Sequence, residues 1–259
     1  MNTPQTFVRR PPWDLLSIVI SVGLALGGWE LAVRLRNVPV YILPAPSLVI
    51  ATLLAGASRY AAAALVTLGE AVAGVTLGLL VGSGVAILIT TWPRLERGVL
   101  ALAILVKATP LVAIAPLLII WLGFGPWPKI IITALMTFFP VLINVHSGLH
   151  AVDDALLALF HSLNASRWEV FRYARWPSAW PYLFAALKVV APLSLMGAVV
   201  AEWAGASAGL GRAMWLAYSN LNLLALFAAV FCLAAMGMGL YAAVIVAEKR
   251  VLFWRANGE

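Results

Sequence analysis

The chain has 259 residues, of which 63% are hydrophobic and only 10% are charged. A soluble domain averages roughly 45–50% apolar and about 25% charged residues, so this composition excludes a soluble globular fold. The net charge of +7 does not indicate nucleic-acid binding, because the seventeen Lys and Arg residues are scattered between apolar blocks. We therefore predict an all-α, polytopic membrane protein that binds no nucleic acid.

Six apolar segments follow one another along the chain, each close to the roughly 20 residues that a helix needs to cross a hydrocarbon core. A short interfacial helix is expected between the first two, after Ser47, because closely spaced prolines exclude a continuous helix there. The six transmembrane helices are predicted at residues 15–35, 62–91, 98–122, 130–145, 182–204 and 221–246. Together they form a single transmembrane domain over residues 1–259.

Two of these spans carry residues that predict how the helices are shaped and packed. In the second span, Gly74, Gly78 and Gly82 recur every four residues and predict a small-residue face for close helix packing. In the third span, Pro110 and Pro116 predict a kink or a break, because proline cannot donate the backbone hydrogen bond of a helix.

The distribution of basic residues predicts the orientation in the membrane. With the N-terminus inside, the predicted cytoplasmic segments hold ten Lys and Arg residues and the opposite segments hold five, with Lys129 counted in an outer loop. Since cytoplasmic loops retain Lys and Arg, both termini and the segment 149–178 are expected in the cytoplasm. The lipid bilayer is thus a partner of the chain, which we expect to be a multi-pass membrane protein.

The segment 149–178 is the longest polar interruption between spans. Asp153 is an N-cap signal for a short apolar helix, and Asn164 lies where that helix would end in a left-handed residue. Ser166 followed three residues later by Glu169 predicts a capping box at the start of a second helix. We therefore expect two short amphipathic helices joined by a tight turn.

These residues carry a family resemblance. The stretch ASRWEVFRYARWPSAWPYL resembles the conserved cytoplasmic loop of binding-protein-dependent ABC importer permeases, in which Glu-Ala-Ala is followed by Gly and, further on, by Leu-Pro. Here Ala158, Leu159 and Phe160 take the Glu-Ala-Ala places, while Asn164 takes the Gly place and Trp176-Pro177 the Leu-Pro place.

The resemblance extends over nearly the whole chain. The stretches PLLIIWLGFGPWPKI, FFPVLINVHSGL and AEWAGASAGLG resemble permeases of the nitrate, sulfonate, taurine and bicarbonate type. The stretches TLGEAVAG and GAVVAEWAGASAGLG are similar to the members linked with pyrimidine vitamin precursors or riboflavin.

This resemblance implies a type I ABC importer permease fold and a permease subunit of an ATP-driven importer in the inner (cytoplasmic) membrane of a bacterial cell. It implies ABC ATPase subunits, a periplasmic or lipoprotein substrate-binding protein and a second permease copy, as a homodimer, as partners. The chain has no phosphate-loop motif, so no enzymatic activity or cofactor is expected in it, and ATP and Mg would be bound by the partner ATPase. The substrate would be a small organic molecule or anion. The residues implied in ATPase coupling are Asn164, Ala165, Ser166, Arg167, Trp168, Arg172 and Pro177.

Polar residues inside the spans are candidates for lining a translocation path, because ionisable groups in lipid tend to face a cavity or each other. The candidates are Glu70, Lys107, Asn144, Lys188 and Glu202. For Lys188 and Glu202, a structural pair or a side chain reaching the interface is favoured instead. For Asn144, a hydrogen bond between helices is favoured.

Other classes of site and function are less well supported. His146 and His150 are four residues apart, but no third ligand is near in sequence, so no metal site is predicted. An intramembrane protease would require a nucleophile motif that the chain lacks. A stand-alone secondary transporter is the alternative function, although it leaves the segment 149–178 unexplained.

Overall fold

A computed structural model describes residues 13–253, and every regular secondary-structure element among these residues is a helix. This confirms the all-α class. The helices are α1 (Trp13–Leu35), α2 (Pro46–Ala55), α3 (Ala57–Thr91), α4 (Pro93–Ala108), α5 (Leu111–Leu122), α6 (Trp127–His150), α7 (Asp154–Ser162), α8 (Arg167–Val170), α9 (Trp176–Gly205), α10 (Leu210–Ser219) and α11 (Leu223–Val251).

Four helical segments of the described residues are long and apolar enough to cross a membrane, namely α3, α6, the continuous stretch Arg167–Gly205, and α11. The pair α4 and α5 makes a fifth if it counts as one broken span. The span predicted at residues 15–35 corresponds to α1, which is not among these, so the count of six spans stays a prediction.

The third predicted span is broken as expected, with a bend of 91° between α4 and α5. Thr109 precedes Pro110 and is extended, with φ −74° and ψ 129°, because the proline ring disfavours a helical residue before it. Pro116, by contrast, lies inside α5 and does not end the helix.

The glycine face of α3 packs directly on α6. A Cβ atom at Gly74 would collide with the side chain of Thr133, and a Cβ atom at Gly78 with the hydroxyl of Thr137. At Gly82, the added atom would lie 2.9 Å from a backbone oxygen of α6. The predicted small-residue face is therefore confirmed, and it lets the two backbones approach closely.

The main apolar core lies among α3, α6 and α9, where fully buried side chains such as Ile89, Val141 and Val190 meet. A second core joins α2, α3, α10 and α11 around Val49 and Leu210. The helix α10 was not predicted from the sequence. It begins after Gly209, whose φ of +106° turns the chain back toward the bundle.

Candidate functional site

The polar segment between α6 and α9 is tightly capped. The Asp153 side chain accepts a hydrogen bond of 2.9 Å from the Ala155 N–H at the start of α7. At the start of α8, the Ser166 hydroxyl accepts from the Glu169 N–H at 3.3 Å, while the Glu169 carboxylate accepts from the Ser166 N–H at 2.7 Å. The predicted N-cap and capping box are both confirmed.

The turn between α7 and α8 is also closed by its own backbone. Asn164 has φ +52°, as predicted for the residue that ends α7. The Ala165 N–H donates to the Phe160 carbonyl at 3.0 Å, and the Asn164 N–H donates to the His161 carbonyl at 3.1 Å. This is the Schellman arrangement, which satisfies the last carbonyls of a helix and fixes the direction of the chain that follows.

The second of the two expected short helices is not a separate element. After α8, the chain passes through one π-helical turn, Phe171–Arg175, and continues directly into α9. Pro177 follows this turn and has no N–H to donate to the carbonyl of Tyr173. Because the α-helical hydrogen bond is absent at this point, the backbone can widen into a π-helical turn. The prediction of a separate second short helix was therefore wrong, and the turn is rigidly joined to a membrane-spanning helix.

The capped segment presents apolar side chains away from the protein. The helix α7 buries none of its residues, and Leu159 on it is 53% exposed. Beside it, Leu163 is 69% and Trp168 is 64% exposed. Since exposed apolar groups held in a fixed arrangement mark interaction sites, we name Leu159, Leu163 and Trp168 the apolar knob.

A row of aromatic rings connects the knob to the interior of α9. The rings of Trp168 and Phe171 are stacked with centroids 5.6 Å apart, and Trp176 lies 6.1 Å from Phe171. Trp180 and Phe184 continue the row at 5.8 Å and 6.3 Å. A displacement of the knob would therefore press on packed rings of α9 rather than on a flexible linker.

Three of the charges within the helices form one buried cluster. The Lys129 ammonium of α6 lies 3.0 Å from the Glu70 carboxylate of α3, and each side chain is 7% exposed. The Glu202 carboxylate of α9 accepts from the Thr67 hydroxyl at 2.7 Å and from the Gly211 N–H of α10 at 2.5 Å. Thr67, which donates to Glu202, lies one turn before Glu70 on α3, so the Glu70 and Glu202 carboxyl groups share one buried region and the polar cluster links four helices.

The remaining polar residues of the spans are arranged differently. Lys188 forms an ion pair of 2.6 Å with Glu248 of α11, and the Asn144 amide donates to the Pro140 carbonyl of its own helix at 2.8 Å. Lys107 is exposed at the end of α4, with its ammonium 4.6 Å from the centroid of the Phe139 ring. None of the ion pairs found among residues 13–253 includes Lys107.

The two histidines near the end of α6 belong to a local contact. The His146 Nε2 atom lies 3.2 Å from the Glu96 carboxylate of α4, and its ring is 4.5 Å from the ring of His150. In the described part of the chain, no three His, Cys, Asp or Glu side chains are grouped as a metal would require.

The sequence of the chain matches that of a known protein family. The family model described as "Binding-protein-dependent transport system inner membrane component" matches residues 74–252, which include the capped segment and the buried cluster except Thr67 and Glu70. The chain belongs to this permease family. It is a membrane-spanning permease subunit of a binding-protein-dependent transport system.

Individual members of the permease family match almost end to end. The permease is 31% identical to the formylaminopyrimidine transport permease protein ThiX of Halalkalibacterium halodurans, over 88% of this chain and 91% of the relative. It is 30% identical to the riboflavin transport system permease protein RibX of Chloroflexus aurantiacus, over 96% of this chain and 94% of the relative.

Solved structures confirm the importer permease fold. An inward-facing structure of the MetNI methionine ABC transporter superposes with a TM-score of 0.65 at 18% identity, covering 78% of this chain and 97% of that chain. An amino acid ABC transporter gives a TM-score of 0.64 at 17% identity, covering 77% and 97%.

Two features of this permease were not predicted from its sequence. Lys129 was assigned to an outer loop, but α6 begins at Trp127 and carries Lys129 into the interior as the partner of Glu70. The prolines on either side of Trp127 were the available signal, since proline is favoured in the first turn of a helix. The role of Gly209 and α10 in holding Glu202 had no comparable local signal.

Proposed function

We propose that this permease couples to a separate ABC ATPase through the segment 149–178. The observation that carries the proposal is the apolar knob, which is exposed yet fixed by a capping box, a Schellman turn and the aromatic row into α9. The knob would enter a cleft of the ATPase, whose closure on ATP and Mg would then move α9. The coupling contacts would come from Asn164 to Trp168, and from Arg172 and Pro177.

The assembly implied by this proposal contains two copies of the permease, ABC ATPase subunits and a substrate-binding protein on the opposite side of the membrane. Both termini and the knob would lie in the cytoplasm of a bacterial cell with the chain in its inner membrane, as the excess of Lys and Arg on that side supports. Membership of the permease family favours this assembly over a stand-alone secondary transporter.

The substrate proposed is a pyrimidine vitamin precursor or riboflavin. The support comes from ThiX and RibX, which match at 31% and 30% identity over 88% and 96% of this chain. The taurine transport system permease protein TauC of Escherichia coli matches at 29% over 77% of this chain, which makes a sulfonate the second candidate.

Among the five polar residues named for the path, we propose that Lys107 lines it. Lys107 is exposed beside the break between α4 and α5 and has no acidic partner in the described residues, so its charge is available to a passing substrate. For Glu70, Lys188 and Glu202, their ion pairs and hydrogen bonds to neighbouring helices support a role in holding the helices together.

The coupling proposal is tested with Ala165→Asp, which places a charge beside the half-buried centre of the turn. Reconstituted permease, ATPase and binding protein should lose uptake and ligand-stimulated ATP hydrolysis, while membrane insertion persists. Ala151→Asp is the matched control, because Ala151 is exposed directly after the C-terminal end of α6 and is not one of the residues proposed to contact the ATPase. Unchanged uptake in Ala165→Asp would refute the coupling role.

The substrate is tested in the same reconstituted system. Formylaminopyrimidine, riboflavin and taurine are supplied in turn with the cognate binding protein, and ATP hydrolysis is measured. Stimulation by either heterocycle supports the proposal, and stimulation by taurine alone would overturn it.

A further inference from the structure

The buried cluster of Glu70, Lys129 and Glu202 does not balance if all three groups are charged. Two carboxylates then share one ammonium, and the residues Glu70, Lys129 and Glu202 are only 7%, 5% and 1% exposed. An uncompensated charge in such a place is strongly destabilising, and each buried carboxyl oxygen also requires a hydrogen-bond partner. The cluster must therefore contain a further positive charge or a proton.

The hydrogen bonds indicate which carboxyl oxygen lacks a partner. Both oxygens of Glu202 are engaged, one by the Thr67 hydroxyl and the other by the Gly211 N–H. The Oε1 atom of Glu70 faces Lys129 at 3.0 Å. The Oε2 atom of Glu70 is buried without a partner, and within residues 13–253 only the Trp29 Nε1 and Thr133 Oγ1 atoms share that condition.

We propose that Glu70 and Glu202 hold one proton between them, carried on the Oε2 atom of Glu70. The protonated Glu70 donates to the Glu202 carboxylate and still accepts from Lys129 through Oε1. The three groups then contain one negative and one positive charge, and every carboxyl oxygen has a hydrogen bond. The proton thereby joins α3 to α9 in the interior of the permease.

The surrounding charges leave this assignment unchanged. On α6 and α9, the helices that pack against α3 at this level, the buried charged groups are Lys129 and Glu202. Arg212 of α10 is half-exposed and forms no ion pair found in the described part of the chain. The charged groups of α11, which begin at Glu248, lie near the opposite end of that helix.

The position of the proton also affects α10, because the Glu202 carboxylate accepts a hydrogen bond from the first turn of that helix. The Glu202 carboxylate accepts from the Gly211 N–H at the positive end of α10. The Thr67 hydroxyl donates to the same carboxylate and accepts from the Leu210 N–H at 2.8 Å. A Cβ atom at Gly209 would collide with the same carboxylate. An ionised Glu202 accepts both hydrogen bonds more strongly than a protonated one and is attracted to the positive end of α10, so we place the proton on Glu70, whose Oε2 atom has no other partner.

The proposal predicts different outcomes for the two amide substitutions. Glu70→Gln reproduces the protonated acid, since its oxygen faces Lys129 and its NH₂ group donates to Glu202. Glu202→Gln offers one acceptor oxygen in place of two, so either Thr67 or the Gly211 N–H loses its partner. Both variants remove the shared proton, but only Glu202→Gln should release α10.

The experiment combines infrared spectroscopy with hydrogen exchange on the full-length permease in lipid vesicles at neutral pH. Wild type should show the carbonyl band of one protonated carboxyl group, which is lost in Glu70→Gln and kept in Glu96→Gln, a control at the partly exposed Glu96. The amides of residues 209–213 should exchange faster in Glu202→Gln and at the wild-type rate in Glu70→Gln.

Glu70→Leu provides a check that does not depend on the band. It removes both hydrogen bonds of the carboxyl group and should lower the midpoint of thermal unfolding by several degrees relative to Glu70→Gln. Absence of the band from wild type, or its survival in Glu70→Gln, would overturn the proposal. A band that appears only after sodium is replaced by choline would also overturn it, because a metal cation would then occupy the place of the proton. These readouts require neither substrate nor ATPase.

Discussion

Replacing Gly78 by alanine probes the contact that organises the bundle. The added Cβ atom would collide with the Thr137 hydroxyl and lie 2.9 Å from the Ala134 carbonyl. Thr137 already donates to the Thr133 carbonyl at 2.9 Å, so it cannot turn away without losing that hydrogen bond. The backbones of α3 and α6 must therefore separate, or the threonine must be displaced.

The size of the effect follows from a matched control on the same helix. Gly84→Ala adds the same methyl group where no atom lies within 4 Å. The gain in helix propensity, about 1 kcal/mol, is common to both substitutions and cancels. What remains is the overpacking cost at residue 78, about 1–3 kcal/mol. Since 1 kcal/mol shifts the unfolding midpoint by about 2–4 °C in a chain of this size, Gly78→Ala should unfold roughly 2–12 °C below Gly84→Ala.

The assay is thermal unfolding of both purified variants in the same detergent, followed by tryptophan fluorescence. Equal midpoints for Gly78→Ala and Gly84→Ala would refute the reasoning, because the close approach of α3 and α6 would then contribute nothing to stability. A lower midpoint for Gly84→Ala would refute it equally.

Three further predictions concern single contacts. Ser166→Ala removes the hydroxyl that accepts from the Glu169 N–H in the capping box and should destabilise the start of α8 by about 0.5–2 kcal/mol, measured as faster amide exchange confined to residues 166–170. Gly209→Ala forces a side chain into a left-handed conformation against the Glu202 carboxylate, and it should lower the unfolding midpoint more than Glu70→Gln does. Lys107→Gln should reduce uptake without changing ATPase binding, whereas Lys107→Arg keeps the positive charge and should retain uptake. Loss of uptake in both variants would show that the charge alone is not sufficient.

The features that the sequence predicted correctly are those set by neighbouring residues. Ser166 and Glu169 are three positions apart, and Asn164 ends α7 through its own backbone conformation, so both could be inferred without knowing the fold. The glycine face was predictable for the same reason, because Gly74, Gly78 and Gly82 lie on one side of a single helix.

The features that were missed depend on residues distant in the chain. Lys129 follows a loop rich in Gly and Pro and resembles an exposed residue until α6 brings it to Glu70. The helix α10 is short, and its first turn is held by Thr67 and Glu202 from two other helices. The π-helical turn that joins α8 to α9 was missed for a different reason, because its residues have no composition that separates it from an ordinary helix end.

The most direct test of the coupling proposal is the accessibility of the apolar knob. In a Cys232→Ser background, Leu163→Cys places a thiol at the 69% exposed tip of the knob, and Leu221→Cys places one at a site that is 76% exposed beyond α10. Inverted membrane vesicles are treated with a membrane-impermeant maleimide, with and without the ATPase subunit. The coupling proposal predicts that Leu163→Cys is labelled only when the ATPase is absent and that Leu221→Cys is not labelled in either case. Equal labelling of Leu163→Cys with and without the ATPase would contradict it.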